Sequence, residues 1–309
     1  MRQRVISGIS LAAALVALVL LDAWLAARPE PLTGTGGATV ERWLCNGLIS
    51  TLIVLILSVL AAREVTGFVR LAGCQPSRFV VYVFAAGFVV GPYVLFNLQQ
   101  AADWRGESWE MLWISLALGV ALLLQAAQHR TRNAMLNVAA AVFVVLYIGG
   151  LAGYMTRLRM EIGGYQGAAI LLFSMFLVKI NDVGAFLTGS LLGKHKLIPW
   201  LSPGKTWEGF FGGIALVIGC ALGIGSWLYH AGVFTLPQGP CAYPWGLLWF
   251  GLLMAIFSVA GDLAASLLKR DAAVKDSGAM IPGMGGVLDI LDSTLLAAPV
   301  AWFFWTRLV

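Results

Sequence analysis

The chain alternates long apolar runs with short polar breaks. Nine runs approach or exceed the roughly 20 residues that a helix needs to cross a bilayer: 5–27, 43–62, 79–98, 110–127, 134–154, 167–190, 208–229, 245–267 and 287–306. The pattern predicts an all-α polytopic membrane protein of about nine transmembrane helices. The first run follows Arg2 and Arg4, as a secretory signal would. It is long for such a segment and no clean A-x-A site follows it, so it reads as a retained helix. No internal repeat or low-complexity tract is evident.

Composition agrees. Hydrophobic residues make up 60% of the 309 and charged residues 11%, against about 25% charged in a soluble domain. Cys45, Cys74, Cys220 and Cys241 show neither zinc-ligand spacing nor a disulfide framework. His129, His195 and His230 are scattered and read as surface residues. The net charge of +5 follows from topology and gives no reason to expect nucleic acid. With the N-terminus in the cytoplasm, nine crossings leave Arg2, Arg4, Arg63, Arg70, Arg78, Arg130, Arg132, Lys194, Lys196, Lys205, Lys269, Arg270 and Lys275 inside. Only Arg28, Arg42, Arg105, Arg157, Arg159 and Arg307 lie outside. This asymmetry predicts N-in, C-out. Trp104, Trp109, Trp245 and Trp305 fall near span ends, as an aromatic belt would.

Residues 1–166 read as a scaffold of about five helices with few ionisable groups. Residues 167–309 differ: about four helices carry charge inside them and are joined by polar loops at 191–207 and 268–286. Span six holds Lys179, Asn181 and Asp182 in "LVKINDVGAF". Intramembrane charge costs at least about 2.5–3.5 kcal/mol and marks function by default. A plainer reading pairs Lys179 with Asp182 at i,i+3. In "GDLAASLLKR", Asp262, Ser266 and Lys269 share one face of span eight. Span nine opens with Asp289 and Asp292, also on one face. Three such carboxylates suit a hard divalent metal, although acidic residues at a helix start also suit the helix dipole. The intervening "IPGMGGV" has glycines whose N–H groups, ahead of a helix, predict an anion site. Gly204-Lys205-Thr206 is not a Walker motif, because Pro199 stands where that motif needs Gly. Lys194, Lys196 and Lys205 suit an anionic headgroup or nucleotide, or a polybasic membrane interface.

Together, "NDVGAFLTGSLLGKHKL", "LSPGKTWEGFFGG" and "GDLAASLLKRDAAVKDSGAMIPGMGGVLDILDS" resemble the phosphatidate cytidylyltransferases, or CDP-diacylglycerol synthases, over Lys179 to Ser293. The resemblance implies transfer of a cytidylyl group from CTP to phosphatidate, with Mg²⁺ and a second, monovalent ion such as K⁺. It implies a multi-pass protein of the inner membrane, its site facing the cytoplasm, and a homodimer. By position, Asp262 and Asp289 would be metal ligands, supported by Asp292, Asp276 and Ser266. Lys269, Arg270 and Lys275 would neutralise phosphates. Gly283, Gly285 and Gly286 would wrap them. Asn181, Asp182, Ser202, Lys205 and Thr206 would complete the pocket.

The chain departs from the family pattern at four places. Met284 stands where most members have His, Ile290 where most have Arg, Ala265 where Glu is common, and Gly204 where Lys is usual. Met offers no proton or strong donor, and a lost Arg removes a bidentate phosphate contact. Other readings therefore stay open: a CTP-dependent enzyme acting on another lipid phosphate or polyprenol, a transporter with intramembrane carboxylates, or an inactive paralogue.

Overall fold

The computed structural model describes residues 2–26, 43, 45–99, 109–236, 241–278 and 285–308. Among them run nine helices: α1 (Arg2–Ala26), α2 (Leu48–Leu71), α3 (Arg78–Gln99), α4 (Trp109–His129), α5 (Ala134–Ile162), α6 (Gly164–Leu192), α7 (Trp207–His230), α8 (Trp245–Asp271) and α9 (Leu288–Leu308). A π-helical stretch, Val145–Gly150, interrupts α5, and another, Phe304–Leu308, ends α9. Eight helices, α2 to α9, are long and apolar enough to cross a membrane; in α1 the apolar stretch is Ala13–Ala26. The all-α polytopic expectation holds. One small addition lies within 191–207, where β1 (Lys196–Ile198) and β2 (Ser202–Thr206) form an antiparallel hairpin.

Several helices outrun their apolar runs. α2 was expected to stop at 62 but continues through Arg63 and Glu64 to Leu71. α8 continues through Lys269 and Arg270 to Asp271. A helix pairs its own backbone whatever its side chains, so polar residues can extend it past the lipid. Basic residues in a last turn also complement the helix dipole. Hydropathy registers the end of the apolar run, not the end of the helix.

Packing relies on small residues, as it must where lipid removes most of the hydrophobic drive between helices. Gly149 and Gly153 of α5 lie against the α3 backbone; a Cβ on Gly153 would come within 2.5 Å of the Phe88 carbonyl oxygen. At the α6–α7 crossing, a Cβ on Gly184 would reach 3.1 Å from the Gly213 Cα. This second crossing places the hairpin, and with it Lys205, beside α8. Trp305 is not part of an interfacial belt. It is buried among Phe234, Phe250 and Phe304, with ring centroids 4.8, 5.4 and 5.5 Å away, because the last turns of α9 fold into the aromatic core. Trp245 is exposed. Trp104 lies outside the described residues.

One sealed polar cluster ties α1 to the rest. Asp22 of α1 accepts from Arg159 Nε of α5 at 3.0 Å, from Ser50 Oγ at 2.7 Å and from Ile49 N at 3.1 Å of α2. Buried charges persist only when paired and hydrogen-bonded in this way.

Candidate active site

The intramembrane charges of the second half meet at one end of the bundle. From β2, Lys205 Nζ lies 2.8 Å from Asp262 Oδ2 of α8. Two turns further along α8, Lys269 Nζ donates to Asp289 Oδ1 of α9 at 2.8 Å. From α6, Lys179 Nζ lies 3.8 Å from Asp182 and donates to the Ile290 carbonyl oxygen at 2.9 Å. Asp262 is within electrostatic range of both Asp182 and Asp292. Arg270 Nε reaches the Leu201 carbonyl oxygen in the hairpin turn at 3.4 Å. The local causes are simple. The i,i+7 spacing puts Asp262 and Lys269 on one face of α8, and the hairpin folds Lys205 back over the other end of that face.

The start of α9 is organised by two carboxylates. Asp289 Oδ2 accepts from Ser277 N at 3.1 Å, Ser277 Oγ at 2.8 Å and Gly286 N at 2.9 Å. Glu64 of α2 accepts from Val287 N at 2.9 Å and Leu288 N at 2.8 Å. The N–H groups at 286–288, expected to meet phosphate, are bonded here to protein carboxylates, which satisfies the orphan donors of a helix N-terminus. The two glycines have a steric reason. Gly285 has φ +89°, and a Cβ there would come within 2.4 Å of Asp289 Oδ2. A Cβ on Gly286 would come within 2.2 Å of Ser277 Oγ and 2.5 Å of the Glu64 oxygens.

Glu64 was missed in the sequence because it reads as the polar end of a span, next to Arg63. A signal did exist: "AAREVTGF" keeps an apolar helical pattern on both sides of the charge. Such a Glu is either a surface residue or has a buried partner, and only the fold shows the partner.

Other expected residues fall elsewhere. Asn181 faces away from the charges. It is 1% exposed and its Nδ2 donates to Ala255 O and Ser258 Oγ, both at 3.2 Å, so it clamps α6 to α8. Thr206 is buried and caps α7, its Oγ1 accepting from Gly209 N at 3.1 Å. Both corrections have one cause: a polar side chain inside a helix bundle can serve packing as readily as a ligand. Ser202 and Ser266 are half-buried near the cluster, and their hydroxyls make no hydrogen bond among the described residues. Lys275 and Asp276 are exposed and make no side-chain contact of that kind either. Gly283 and Met284 lie outside the described residues. His195 Nδ1 lies 2.7 Å from Glu208 Oε1, pinning the hairpin to the start of α7. A cavity of about 600 Å³ opens at the α2–α3 turn beside Arg70, Arg78 and His129, but none of the clustered charges lines it.

Chemically, this is a set of cation–carboxylate pairs with partial solvent access. No group of three or more His, Cys, Asp or Glu among the described residues has metal-holding geometry. Asp262 and Asp289 each face an ammonium instead.

A family model described as the cytidylyltransferase family matches residues 36–308. A protein of Staphylococcus saprophyticus named phosphatidate cytidylyltransferase is 29% identical over 259 residues, covering 83% of this chain and 90% of the relative. Proteins of the same name from Staphylococcus aureus and Staphylococcus epidermidis are 30% identical over 261 and 262 residues, with the same coverage. The match spans the scaffold as well as the charged half, and on it this chain belongs to the cytidylyltransferase family.

Proposed function

We propose that this membrane protein makes CDP-diacylglycerol and pyrophosphate from CTP and phosphatidate. The observation that carries the reading is the pairing of Lys205 with Asp262 and of Lys269 with Asp289 at one end of the bundle, in a chain whose relatives bear that enzyme's name. Two polyanions must meet there, and a cluster of lysines held by exchangeable carboxylates suits them. The positive-inside asymmetry favours the cytoplasmic face of a bacterial inner membrane, where CTP is available.

In the reaction a phosphate oxygen of phosphatidate attacks the α-phosphorus of CTP. The new P–O bond forms as the α–β anhydride bond breaks, and its electron pair departs with pyrophosphate. The nucleophile is already anionic, so no protein group has to remove a proton. The work left to the protein is alignment and charge neutralisation. Lys205 and Lys269 exchange their carboxylate partners for phosphate oxygens. Arg270 stands beside them at the hairpin. Ser277 and the Gly286 N–H hold Asp289 in place, and Glu64 fixes the helix start that carries it.

Asp262 and Asp289, once released by the lysines, are hard oxygen donors of the kind Mg²⁺ takes. The donor chemistry of the two carboxylates fits the ion, and each is held now by a lysine at 2.8 Å. With few protein ligands, its other positions would fall to phosphate oxygens and water. When bound, Mg²⁺ supplies charge neutralisation at the reacting and leaving phosphates.

The test is purified protein with phosphatidate, Mg²⁺ and CTP labelled at the α-phosphate. Label should enter the lipid, and a panel of lipid phosphates and polyprenols should leave phosphatidate the best acceptor. Absence of any labelled lipid would defeat the reading, and transfer of label only from the γ-position would make the protein a kinase.

A further inference from the structure

The three lysines of the site are not equivalent. Lys205 and Lys269 each lie 2.8 Å from a carboxylate and are 23% and 12% exposed. Lys179 is 46% exposed, its carboxylate neighbour is 3.8 Å away, and its one close partner is the neutral Ile290 carbonyl at 2.9 Å. An ammonium has three donors, and here one is used. Lys179 lies near the middle of α6, against the first turn of α9. Phe176, Val183 and Leu187 share its side of α6 and are all exposed. In a bilayer that strip meets acyl chains. A charge held there with spare donors is expensive, and pairing with Asp182 alone would bring the carboxylate, not a carbonyl, closest.

We propose that Lys179 binds the phosphate monoester of the lipid substrate as it enters sideways from the bilayer, while Lys205 and Lys269 serve the nucleotide at the water-facing end. The proposal rests on phosphatidate being the substrate. It assigns a substrate-binding role to a lysine whose simplest reading was the neutralisation of its neighbour. The lipid's phosphate is the ligand, not those of CTP, because Lys179 shares its side of a membrane-spanning helix with the exposed Phe176, Val183 and Leu187. Its position against Ile290 also puts a cation beside a helix position whose own side chain is apolar.

Binding is measured before turnover. Purified protein in phosphate-free detergent is titrated with dioctanoyl phosphatidate, with dioctanoylglycerol and with CTP. The parent should prefer phosphatidate to the neutral lipid. Lys179→Met should lose that preference by about tenfold or more, keep its CTP affinity as proof of folding, and raise KM for phosphatidate but not for CTP. Lys179→Arg should restore most of the loss. The double variant Lys179→Met with Asp182→Asn separates the roles. Persistent loss supports phosphate binding, whereas recovered phosphatidate affinity would mean that Lys179 only neutralises Asp182, and the proposal fails. Unchanged phosphatidate affinity in Lys179→Met would overturn it as well. A parent that binds phosphatidate yet makes no labelled lipid from CTP would defeat the catalytic reading and leave the role of Lys179 standing.

Discussion

Charge in the bundle is handled in two ways: sealed at Asp22–Arg159 in the first half, and open at the lysine–carboxylate pairs of the second half and at Arg157–Glu110 in the first. In the α1–α5 half, Asp22 and Arg159 are 1% and 2% exposed and closed in by Ser50 and Ile49. Gln125 and Asn137 make a similarly buried pair at 3.1 Å. In the α6–α9 half, the lysine–carboxylate pairs have comparable or shorter distances but remain partly open. Distance therefore does not tell a sealed pair from an open one; access does. A sealed pair can only hold helices together, because breaking it strands a charge in a dry interior. An open pair can trade its partner for a substrate phosphate at little cost.

That contrast can be broken by substitution, and the largest effect should come from the sealed pair. Asp22→Ala leaves Arg159 buried and uncompensated and should cost about 3–5 kcal/mol of stability, read as a lowered melting temperature in detergent. Turnover per folded molecule should persist; a stable Asp22→Ala protein would show that the pair is not sealed. Next, Asp262→Asn should lower turnover by roughly 10²–10³-fold, about 2.7–4 kcal/mol on the scale of losing one transition-state charge contact, with melting little changed. Equal loss of stability and turnover would place Asp262 with the structural pairs.

Glu64 tests the boundary between the halves, since a scaffold helix reaches into the site. Glu64→Gln keeps one acceptor oxygen for two amides and should reduce turnover about tenfold through a displaced Asp289. The discriminating readout is kcat falling with KM for CTP unchanged; a rise in KM alone would argue for direct contact with nucleotide. The smallest effect belongs to the cap. Thr206→Ala should cost about 1 kcal/mol of stability, Thr206→Ser almost nothing, and neither should alter KM for CTP. A KM change in Thr206→Ser would return Thr206 to the pocket.

Much of this was legible in the sequence. Among the described residues each of the nine apolar runs became a helix, eight of them long and apolar enough to cross a membrane, and the charges Lys179, Asp182, Asp262, Asp289 and Asp292 lie near one another. Helix ends were less legible, as α2 shows: hydropathy stops at Arg63, while the helix runs on to Leu71. The roles of single polar residues were least legible. Asn181 and Asp182 are adjacent in sequence, yet one clamps α8 and the other joins the cluster. One residue step rotates a side chain by about 100° on a helix, and a linear pattern does not say which direction faces what. The partner of the Val287 and Leu288 N–H groups was hidden by distance along the chain, because Glu64 lies more than 200 residues away.

The sequence by itself determined the helical class, the approximate placing of the helices and the chemistry available. A bilayer forces apolar runs into helices, and charge survives inside them only for a reason. Only the tertiary structure decided which charges are sealed and which stay open. That depends on how closely helices approach at glycine contacts such as Gly153 on α3 and Gly184 on α7, and so on how each helix is rotated. Rotation turns Arg159 inward onto Asp22 and leaves Lys179 facing out. The same positive charge is then a buried bolt in one case and an exposed ammonium with spare donors in the other.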